Sequence, residues 1–218
     1  MTLSEEDYIK AIYHLGKGEN TAVSTNAIAE QMATKPSSVT DMIKKLSEKG
    51  VANYRKYKGV SLTEYGQKIA LTLVRKHRLW EVFLVNELDF SWDEVHEVAE
   101  QLEHIKSEKL VDRLDKLLGY PQVDPHGDPI PSKEGEFKKA VKKLLNDIPI
   151  GTSGICVGVK DSSAPFLKFL DKNNIALGDT ISIVDKEEFD GSFMIRIKDH
   201  DLHISHQIAN NLYLKITE

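Results

Sequence analysis

Apolar residues recur at helical spacing near the start of the chain, where Ile9, Ile12 and Leu15 would share one helix face. Ser4 is a favourable N-cap residue, and Asp7, three positions later, would be the acidic partner of a capping box. The pattern therefore predicts a first helix over LSEEDYIKAIYHL, with its apolar face turned towards a core.

Two further helices and a hairpin are predicted to follow. Ser24 or Thr25 would cap the second helix, and Pro36 suits the first turn of the third. The β-prone runs VANYRKY and VSL then lie on either side of a basic turn. Three helices and a hairpin are the order of a winged helix-turn-helix domain, which we place at residues 1–72.

The middle of the chain is predicted to form a helical domain over residues 73–145. A long helical run begins at Thr63, Ser91 opens the run that contains HEVAEQLEHIK, and Ser107 opens another. An extended segment rich in proline and glycine leads to one more helical run, EFKKAVKKLL. Residues 146–218 are mostly β-prone runs separated by turns, which predicts a small β-barrel. The predicted fold class is thus mainly α with β, in three domains.

The composition fits a protein of a few small domains, with 218 residues of which 40% are hydrophobic and 29% charged. No run approaches the roughly 18 apolar residues that a membrane span needs, and Met1 opens no signal-peptide pattern. The single cysteine, Cys156, excludes a disulfide framework and lies in the apolar run GICVGV, which predicts a buried, inert thiol. We therefore expect a cytoplasmic protein with no membrane partner.

The net charge of −5 conceals two segments of opposite sign. Residues 35–58 contain seven basic and two acidic residues, a net charge of +5. Residues 77–118 contain five basic and eleven acidic residues, a net charge of −6. One segment could meet phosphate while the other holds cations.

A candidate DNA-reading surface combines outward positions at the start of the third helix with basic residues of the hairpin. Short hydroxyl side chains can approach base edges closely, while lysine and arginine meet phosphate. The members of this surface are Lys35, Pro36, Ser37, Ser38, Thr40, Asp41, Lys44, Arg55, Lys56 and Lys58. The alternative is a helix-turn-helix scaffold whose lysines only confer solubility. The hairpin and the local positive charge together favour DNA binding.

A second set of polar residues falls on one side of the helix predicted over HEVAEQLEHIK. His96, Glu100, Glu103 and His104 would project at roughly 0°, 40°, −20° and 80° around its axis. His77 and Glu81, four residues apart, would share a face of the preceding long helix. Imidazoles and carboxylates converging from packed helices are what a divalent cation needs, because the cation offsets the repulsion between the carboxylates. The alternative is an ordinary solvated acidic face with surface histidines.

The order of a winged helix, RKHRLWE, VHEVAEQLEH, DPHGDPIP and a terminal β-barrel resembles the diphtheria toxin repressor family of iron- and manganese-dependent transcriptional repressors. The resemblance covers nearly the whole chain. It implies a winged helix-turn-helix, a helical metal-binding and dimerisation domain, and an SH3-like barrel. It also implies a homodimer that binds double-stranded operator DNA and has no small-molecule substrate.

The resemblance implies two neighbouring metal sites. One would use His77, Glu81 and His96, completed by Asp161 from the barrel. The other site's implied ligands are Asp7, Glu100, Glu103 and His104. Two further candidates, Asp124 and His126, lie in the PHG segment, which supplies a histidine ligand in three-domain manganese regulators.

Several positions depart from the patterns of the family. Asp7 and Glu100 stand where the iron-responsive branch has methionine and cysteine, which favours Mn²⁺, with Fe²⁺ as the alternative. Other divalent ions (Co²⁺, Zn²⁺, Ni²⁺ and Cd²⁺) would substitute in vitro. Lys10 stands where shorter manganese regulators commonly have a glutamate, so a bridging role there is lost. Asp124 replaces a cysteine, and its alternative role is that of a turn residue; the alternative for Asp7 is its place in the first capping box.

We expect a regulator and not an enzyme, because the sequence contains no HExxH, nucleophile elbow or phosphate-cradling glycine loop. The expected function is metal-dependent repression of genes for metal uptake or homeostasis. Two alternatives stay open: a winged-helix regulator that senses an organic ligand, and a metallohydrolase.

Overall fold

The computed structural model describes residues 1–18, 21–138 and 142–217 of the chain, which form two compact units. The first unit consists of Met1–His77, Glu100–Val111 and Pro131–Glu136, and the second of Arg78–Ala99, Asp112–Ile130 and Phe137–Glu218. The domain boundaries predicted from the sequence remain predictions.

The first unit begins with the predicted helices and hairpin. These elements are α1 (Leu3–Leu15), α2 (Thr25–Gln31), α3 (Pro36–Glu48), β1 (Ala52–Arg55) and β2 (Gly59–Leu62). The two strands pair antiparallel, with Ala52 opposite Leu62. Ile9, Ile28 and Ile43, one from each helix, are completely buried and form the core of this winged helix-turn-helix.

Helix α1 has the predicted bounds, but its N-cap lies two residues before the predicted one. Thr2 is the N-cap: its hydroxyl accepts from the backbone N–H of Glu5 at 3.3 Å, and its own N–H donates to the Glu5 carboxylate at 3.1 Å. The predicted box of Ser4 and Asp7 is therefore wrong, because Thr2 and Glu5 satisfy the same three-residue spacing two residues earlier. Asp7 lies beyond the first turn and does not cap the helix.

The starts of α2 and α3 follow the sequence. Ser24 accepts from the N–H of Ala27 at 3.1 Å, and Pro36 stands in the first turn of α3. Helices α4 (Glu64–Leu88), α5 (Val95–Leu102) and α6 (Glu108–Leu117) follow the hairpin, and each is divided between the two units. Helix α5 begins at Val95 and not directly after Ser91 as predicted. It ends at Leu102, so that Glu103 and His104 lie in the turn after it.

The C-terminal part is a six-stranded antiparallel sheet in the order β3–β8–β4–β5–β6–β7. Its elements are β3 (Lys143–Leu144), β4 (Ser153–Val159), α7 (Ala164–Lys172), β5 (Thr180–Lys186), β6 (Phe193–Ile197), β7 (His200–Ile204), α8 (His206–Ala209) and β8 (Leu212–Ile216). Ile181, Ile195 and Leu212 are completely buried in its core. The predicted fold class is thereby confirmed.

One predicted helix is not found in this region. The run EFKKAVKKLL falls partly on residues 139–141, which lie outside the described residues. Its last residues form strand β3, which pairs with Leu214 and Tyr213, and a 3-10 helix over Leu145–Asp147. The helix prediction is wrong there, because pairing with β8 outweighs a local helical pattern.

Cys156 lies in β4 and is buried, as predicted. Burial raises the pKa of its thiol to about 11, which keeps the thiol protonated and unreactive at neutral pH. Among the described residues, no helix is both long enough and apolar enough to cross a bilayer.

Candidate functional site

A first group of metal-ligand atoms lies in the first unit, between α1 and the turn after α5. Asp7, Glu103 and His104 each offer one ligand atom, and the three atoms lie within 4.8 Å of one another. We call this group the Asp7 cluster. Nε2 of His104 is 3.0 Å from Oδ1 of Asp7. The group joins residues almost a hundred positions apart and contains three of the four ligands that the resemblance implied, without Glu100.

Glu6 orients the histidine of this cluster. Nδ1 of His104 lies 2.7 Å from Oε2 of Glu6. Because an ionised carboxylate only accepts, Nδ1 donates to Glu6, and this contact fixes the ring so that Nε2 is directed at Asp7, where it could bind a metal ion. Sequence reasoning missed Glu6, because its partner lies 98 positions away.

Glu103 is completely buried, and its two carboxylate oxygens have different surroundings. Oε2 accepts from Nζ of Lys10 at 2.7 Å and lies 2.6 Å from Nδ1 of His77. Oε1 is buried and has no hydrogen-bond partner among the described residues. A buried carboxylate oxygen without a partner is costly, and a divalent cation satisfies such an atom. The residues of the Asp7 cluster therefore fit a metal ion.

The pKa values of two carboxyl groups in this region, Asp7 and Glu103, are shifted in opposite directions. Desolvation and the neighbouring carboxylates of Glu103 and Glu100 raise the pKa of Asp7, against the lowering effects of His104 and Lys10. Burial alone would raise the pKa of Glu103, but the hydrogen bond from His77 and the charge of Lys10 outweigh it and lower the pKa.

A second group lies in the second unit and consists of Glu81, Asp124 and His126, all three buried. We call it the Asp124 cluster. Its three ligand atoms lie within 4.8 Å of one another, and Nδ1 of His126 is 3.8 Å from Oε1 of Glu81. Nε2 of His126 lies 2.7 Å from the backbone carbonyl of Trp92 and donates to it. This contact orients the ring so that Nδ1 faces the two carboxylates, which is the orientation that a metal ligand needs.

Asp124 has the turn role that the sequence left open, and its role as a metal ligand stays a prediction. Its Oδ1 accepts from the backbone N–H groups of His126 at 2.8 Å and Asp128 at 3.0 Å, as in a turn. Its Oδ2 lies 3.3 Å from Nε of Arg78. Burial and the charge of Glu81 raise its pKa to about 6 despite the opposing charge of Arg78. Gly127 in this turn has φ +82°, a left-handed backbone conformation that glycine adopts without strain.

The other predicted ligands are placed as follows. His77 precedes Glu81 by one turn on α4, and Nδ1 of His96 lies 3.4 Å from Oε1 of Glu81. The carboxylate of Glu100 is half exposed and lies 3.5 Å from Nζ of Lys10. Asp161 accepts from the N–H of Ser163 at 2.9 Å and belongs to neither cluster. The ligand roles of all four residues stay predictions.

The candidate DNA-reading residues lie at the surface of the first unit. All of them are exposed apart from Thr40, which is half-buried and whose hydroxyl donates to the carbonyl of Pro36 at 2.9 Å. Tyr57, at the tip of the wing, was not predicted: its side chain is 92% exposed, its φ is +66°, and Nζ of Lys56 lies 5.1 Å from its ring centroid. A large aromatic residue in a left-handed conformation at a basic tip adds to the surface that would meet DNA.

Glu5 connects α1 to α3, the predicted recognition helix, which carries most of the candidate DNA-reading residues. Its buried carboxylate lies 2.8 Å from Nζ of Lys45 and 2.7 Å from Nζ of Lys49. The two ammonium groups lower the pKa of Glu5 to about 2. Sequence reasoning missed this pair of contacts, because Glu5 reads only as an acidic residue of the first turn. Helix α1 therefore contacts both the Asp7 cluster and the recognition helix.

Comparison with known families matches successive parts of the chain. Residues 1–60 match the iron dependent repressor, N-terminal DNA binding domain. Residues 63–132 match the iron dependent repressor, metal binding and dimerisation domain, and residues 143–216 match the FeoA domain.

Similar proteins carry names of transcriptional regulators. The HTH-type transcriptional regulator MntR of Oceanobacillus iheyensis is 36% identical over 142 residues, which cover 65% of this chain and 91% of that protein. An uncharacterized HTH-type transcriptional regulator of Methanocaldococcus jannaschii is 39% identical over 114 residues, which cover 52% of this chain and 91% of that protein. A solved structure of a manganese-dependent transcriptional repressor in complex with manganese is similar with a TM-score of 0.82 at 33% identity, over 98% of this chain and 100% of that chain.

A winged helix-turn-helix followed by a helical domain with carboxylate and imidazole clusters defines the class of metal-dependent transcriptional repressors. Within this class, the chain belongs to the diphtheria toxin repressor family, and its DNA-binding, metal-binding and FeoA parts follow one another in that order. The resemblance drawn from the sequence is confirmed.

Proposed function

We propose that this protein represses transcription in response to Mn²⁺, with Fe²⁺ as the alternative, and that it binds operator DNA of metal-homeostasis genes as a homodimer. The observation that carries the proposal is the Asp7 cluster. There, a buried carboxylate oxygen of Glu103 without a partner lies beside the carboxylate of Asp7 and an imidazole held in place by Glu6.

The preference for manganese is supported by the donor atoms. Both clusters present only carboxylate oxygen and imidazole nitrogen, and the single cysteine is buried in β4 with a protonated thiol. Hard oxygen donors suit Mn²⁺ and Fe²⁺, whereas thiolates favour softer or later metals. Affinity alone would still favour zinc, so coordination geometry and metal availability would set the selectivity.

Helix α1 is the proposed link between metal and DNA. A bound cation would offset the repulsion between Asp7 and Glu103 and so hold α1 against the turn after α5. Because Glu5 forms ion pairs with Lys45 and Lys49, the recognition helix would move together with α1. Two recognition helices of a dimer would then be kept at the spacing of successive major-groove half-sites, about 34 Å apart.

Glu81 belongs to two proposed ligand sets in the metal-binding part. One is the predicted set with His77, His96 and Asp161, and the other is the Asp124 cluster. Replacing His96 with alanine should weaken metal binding only if the first set is used, and replacing His126 only if the second set is used. Titration of both variants with Mn²⁺ separates these possibilities.

The proposal is tested with Glu103→Gln, which keeps the shape of the side chain and removes its charge. Operator binding by this variant should no longer respond to Mn²⁺ in a fluorescence-anisotropy titration at fixed salt. The matched control is Glu87→Gln, which makes the same chemical change at an exposed glutamate near the end of α4. This control should respond to Mn²⁺ as the wild type does. An unchanged manganese response in Glu103→Gln would contradict the proposal.

One observation favours a second candidate, a regulator that senses an organic ligand. A cavity of about 540 Å³ in the second unit is lined by apolar side chains that include Val82, Phe90, Trp92 and Leu177. If the protein responds to an organic effector bound there, the response should stay intact when His77 or Glu103 is replaced by alanine.

The proposal also includes the absence of enzymatic activity, and turnover of generic ester and phosphoester substrates by the manganese-loaded protein would contradict it.

A further inference from the structure

Lys10 directs its ammonium group into the metal-binding carboxylates instead of towards water. It lies one turn after Asp7 on α1, and its side chain is only 13% exposed. Nζ lies 2.7 Å from Oε2 of Glu103 and 3.5 Å from Oε1 of Glu100. Lysine is among the residues least often buried, so this placement depends on the partners that it finds there.

The charge balance explains why a cation is held at this place. Glu103 is completely buried, and a buried carboxylate is stable only when it is paired with a positive charge and hydrogen-bonded. The Lys10 ammonium supplies that charge from the same helix that carries Asp7. It satisfies Oε2 of Glu103, while Oε1 of the same carboxylate keeps no partner among the described residues.

We propose that Lys10 is a resident cation of the Asp7 cluster, which neutralises Glu103 and Glu100 in the metal-free protein and which the divalent ion must displace. The inference rests on the proposed function and adds how the site is controlled. Lys10 lowers the affinity of the cluster for metal, because the ion competes with a covalently attached cation. Lys10 also restricts the cluster to one divalent ion. A second ion would either be repelled by the ammonium group or have to bind without the carboxylates of Glu103 and Glu100.

The competition also gives the metal-free protein a defined state. With Lys10 in place, α1 remains attached to Glu103 through one hydrogen bond of 2.7 Å. A low level of metal then leaves this contact unchanged, and only an ion concentration high enough to displace the ammonium replaces it. The metal threshold of the response is thus set partly by Lys10.

The test compares manganese binding by the full chain with and without the charge. Isothermal titration with Mn²⁺ is carried out in a Glu81→Gln background, which removes a ligand of the Asp124 cluster so that the Asp7 cluster is measured alone. Lys10→Met, which removes the ammonium group and keeps an unbranched side chain, should bind one Mn²⁺ about tenfold or more tightly than the parent. Lys68→Met removes a 70% exposed lysine that pairs with Glu64 on α4 and should leave the affinity unchanged.

A second measurement uses the native residue and does not depend on the folding of a variant. The rate at which an amine-reactive acetylating reagent modifies Lys10 is followed by peptide mass spectrometry. We expect this rate to rise severalfold when Mn²⁺ is added, because displacement exposes an amine that is otherwise shielded.

The outcomes separate the two proposals. Equal or weaker manganese binding by Lys10→Met, or a labelling rate that Mn²⁺ does not raise, would overturn the role of Lys10 and leave the proposed function intact. Lack of manganese binding by the wild type would overturn the proposed function itself. Tighter binding by the variant together with faster labelling of the native lysine supports the resident cation.

Discussion

The contact between Glu5 and the recognition helix leads to a prediction about stability. Glu5→Gln removes the charge but keeps the capping box, because glutamine also serves at the third helical position. The pKa of Glu5 falls from 4.5 to about 2 in the folded protein, which corresponds to roughly 3 kcal/mol at neutral pH. The lysine partners are half exposed, with 50% and 44% of their side chains accessible, so screening by water reduces this to about 1–2 kcal/mol.

The sign of the pH dependence follows from the lowered pKa. The stabilisation by the Glu5 carboxylate is fully present above pH 4.5 and is lost as the pH falls from 4.5 towards about 2. Glu5→Gln should therefore be less stable than the wild type at pH 7, and the difference should vanish at the acidic end of this range.

The assay is urea unfolding followed by far-ultraviolet circular dichroism at pH 7 and at acidic pH. Hydrogen exchange of the α1 and α3 peptides then locates the change, since the loss of protection should be confined to these two helices. Glu30→Gln, an exposed residue of α2, is the matched control. Equal stability of Glu5→Gln and this control at pH 7 would refute the reasoning, as would a difference that persists under acid.

Three further predictions concern the wing, the PHG turn and its carboxylate. Tyr57→Ala should weaken operator binding by about 1 kcal/mol and leave the salt dependence unchanged, whereas Lys56→Ala should lower the slope of log affinity against log salt by about 1; equal slopes for both variants would contradict this. A Cβ on Gly127 would lie 2.1 Å from a carbonyl oxygen of β4, so Gly127→Ala should lower the free energy of unfolding by about 2–4 kcal/mol. Its melting temperature should be lower than that of the control Gly178→Ala, a position with the same left-handed backbone and no neighbour within 4 Å. Because the pKa of Asp124 is about 6, a metal must displace its proton at lower pH, so manganese affinity at this cluster should rise as the pH increases through 6, and a flat profile in pH-dependent calorimetry would contradict the assignment.

The parts of the fold that depend on local pattern were predictable from the sequence. The apolar faces of α1 and α3 and the caps at Ser24 and Thr63 are local signals, and each appears in the structure. The N-cap of α1 was misjudged because Ser4 and Thr2 both have an acidic residue three positions later, and the spacing alone does not choose between them.

The composition of the candidate site was only partly predictable. The angular pattern of the α5 stripe assumes a helix that continues, but α5 ends at Leu102 without a glycine or proline to signal it. Glu6 and Lys10 were missed as partners, because their contacts with His104 and Glu103 join residues more than ninety positions apart. Such long-range pairs depend on tertiary packing, which a local pattern does not encode.

The central claim is that a divalent metal and operator DNA favour the same state of this protein. The most direct measurement is the affinity of the full chain for a duplex selected from a random library, with Mn²⁺ and with chelator at one fixed salt concentration. Because coupling between two ligands of a regulator is typically 1–3 kcal/mol, Mn²⁺ should strengthen binding by about 5- to 150-fold. Equally tight binding with manganese and with chelator would contradict the account.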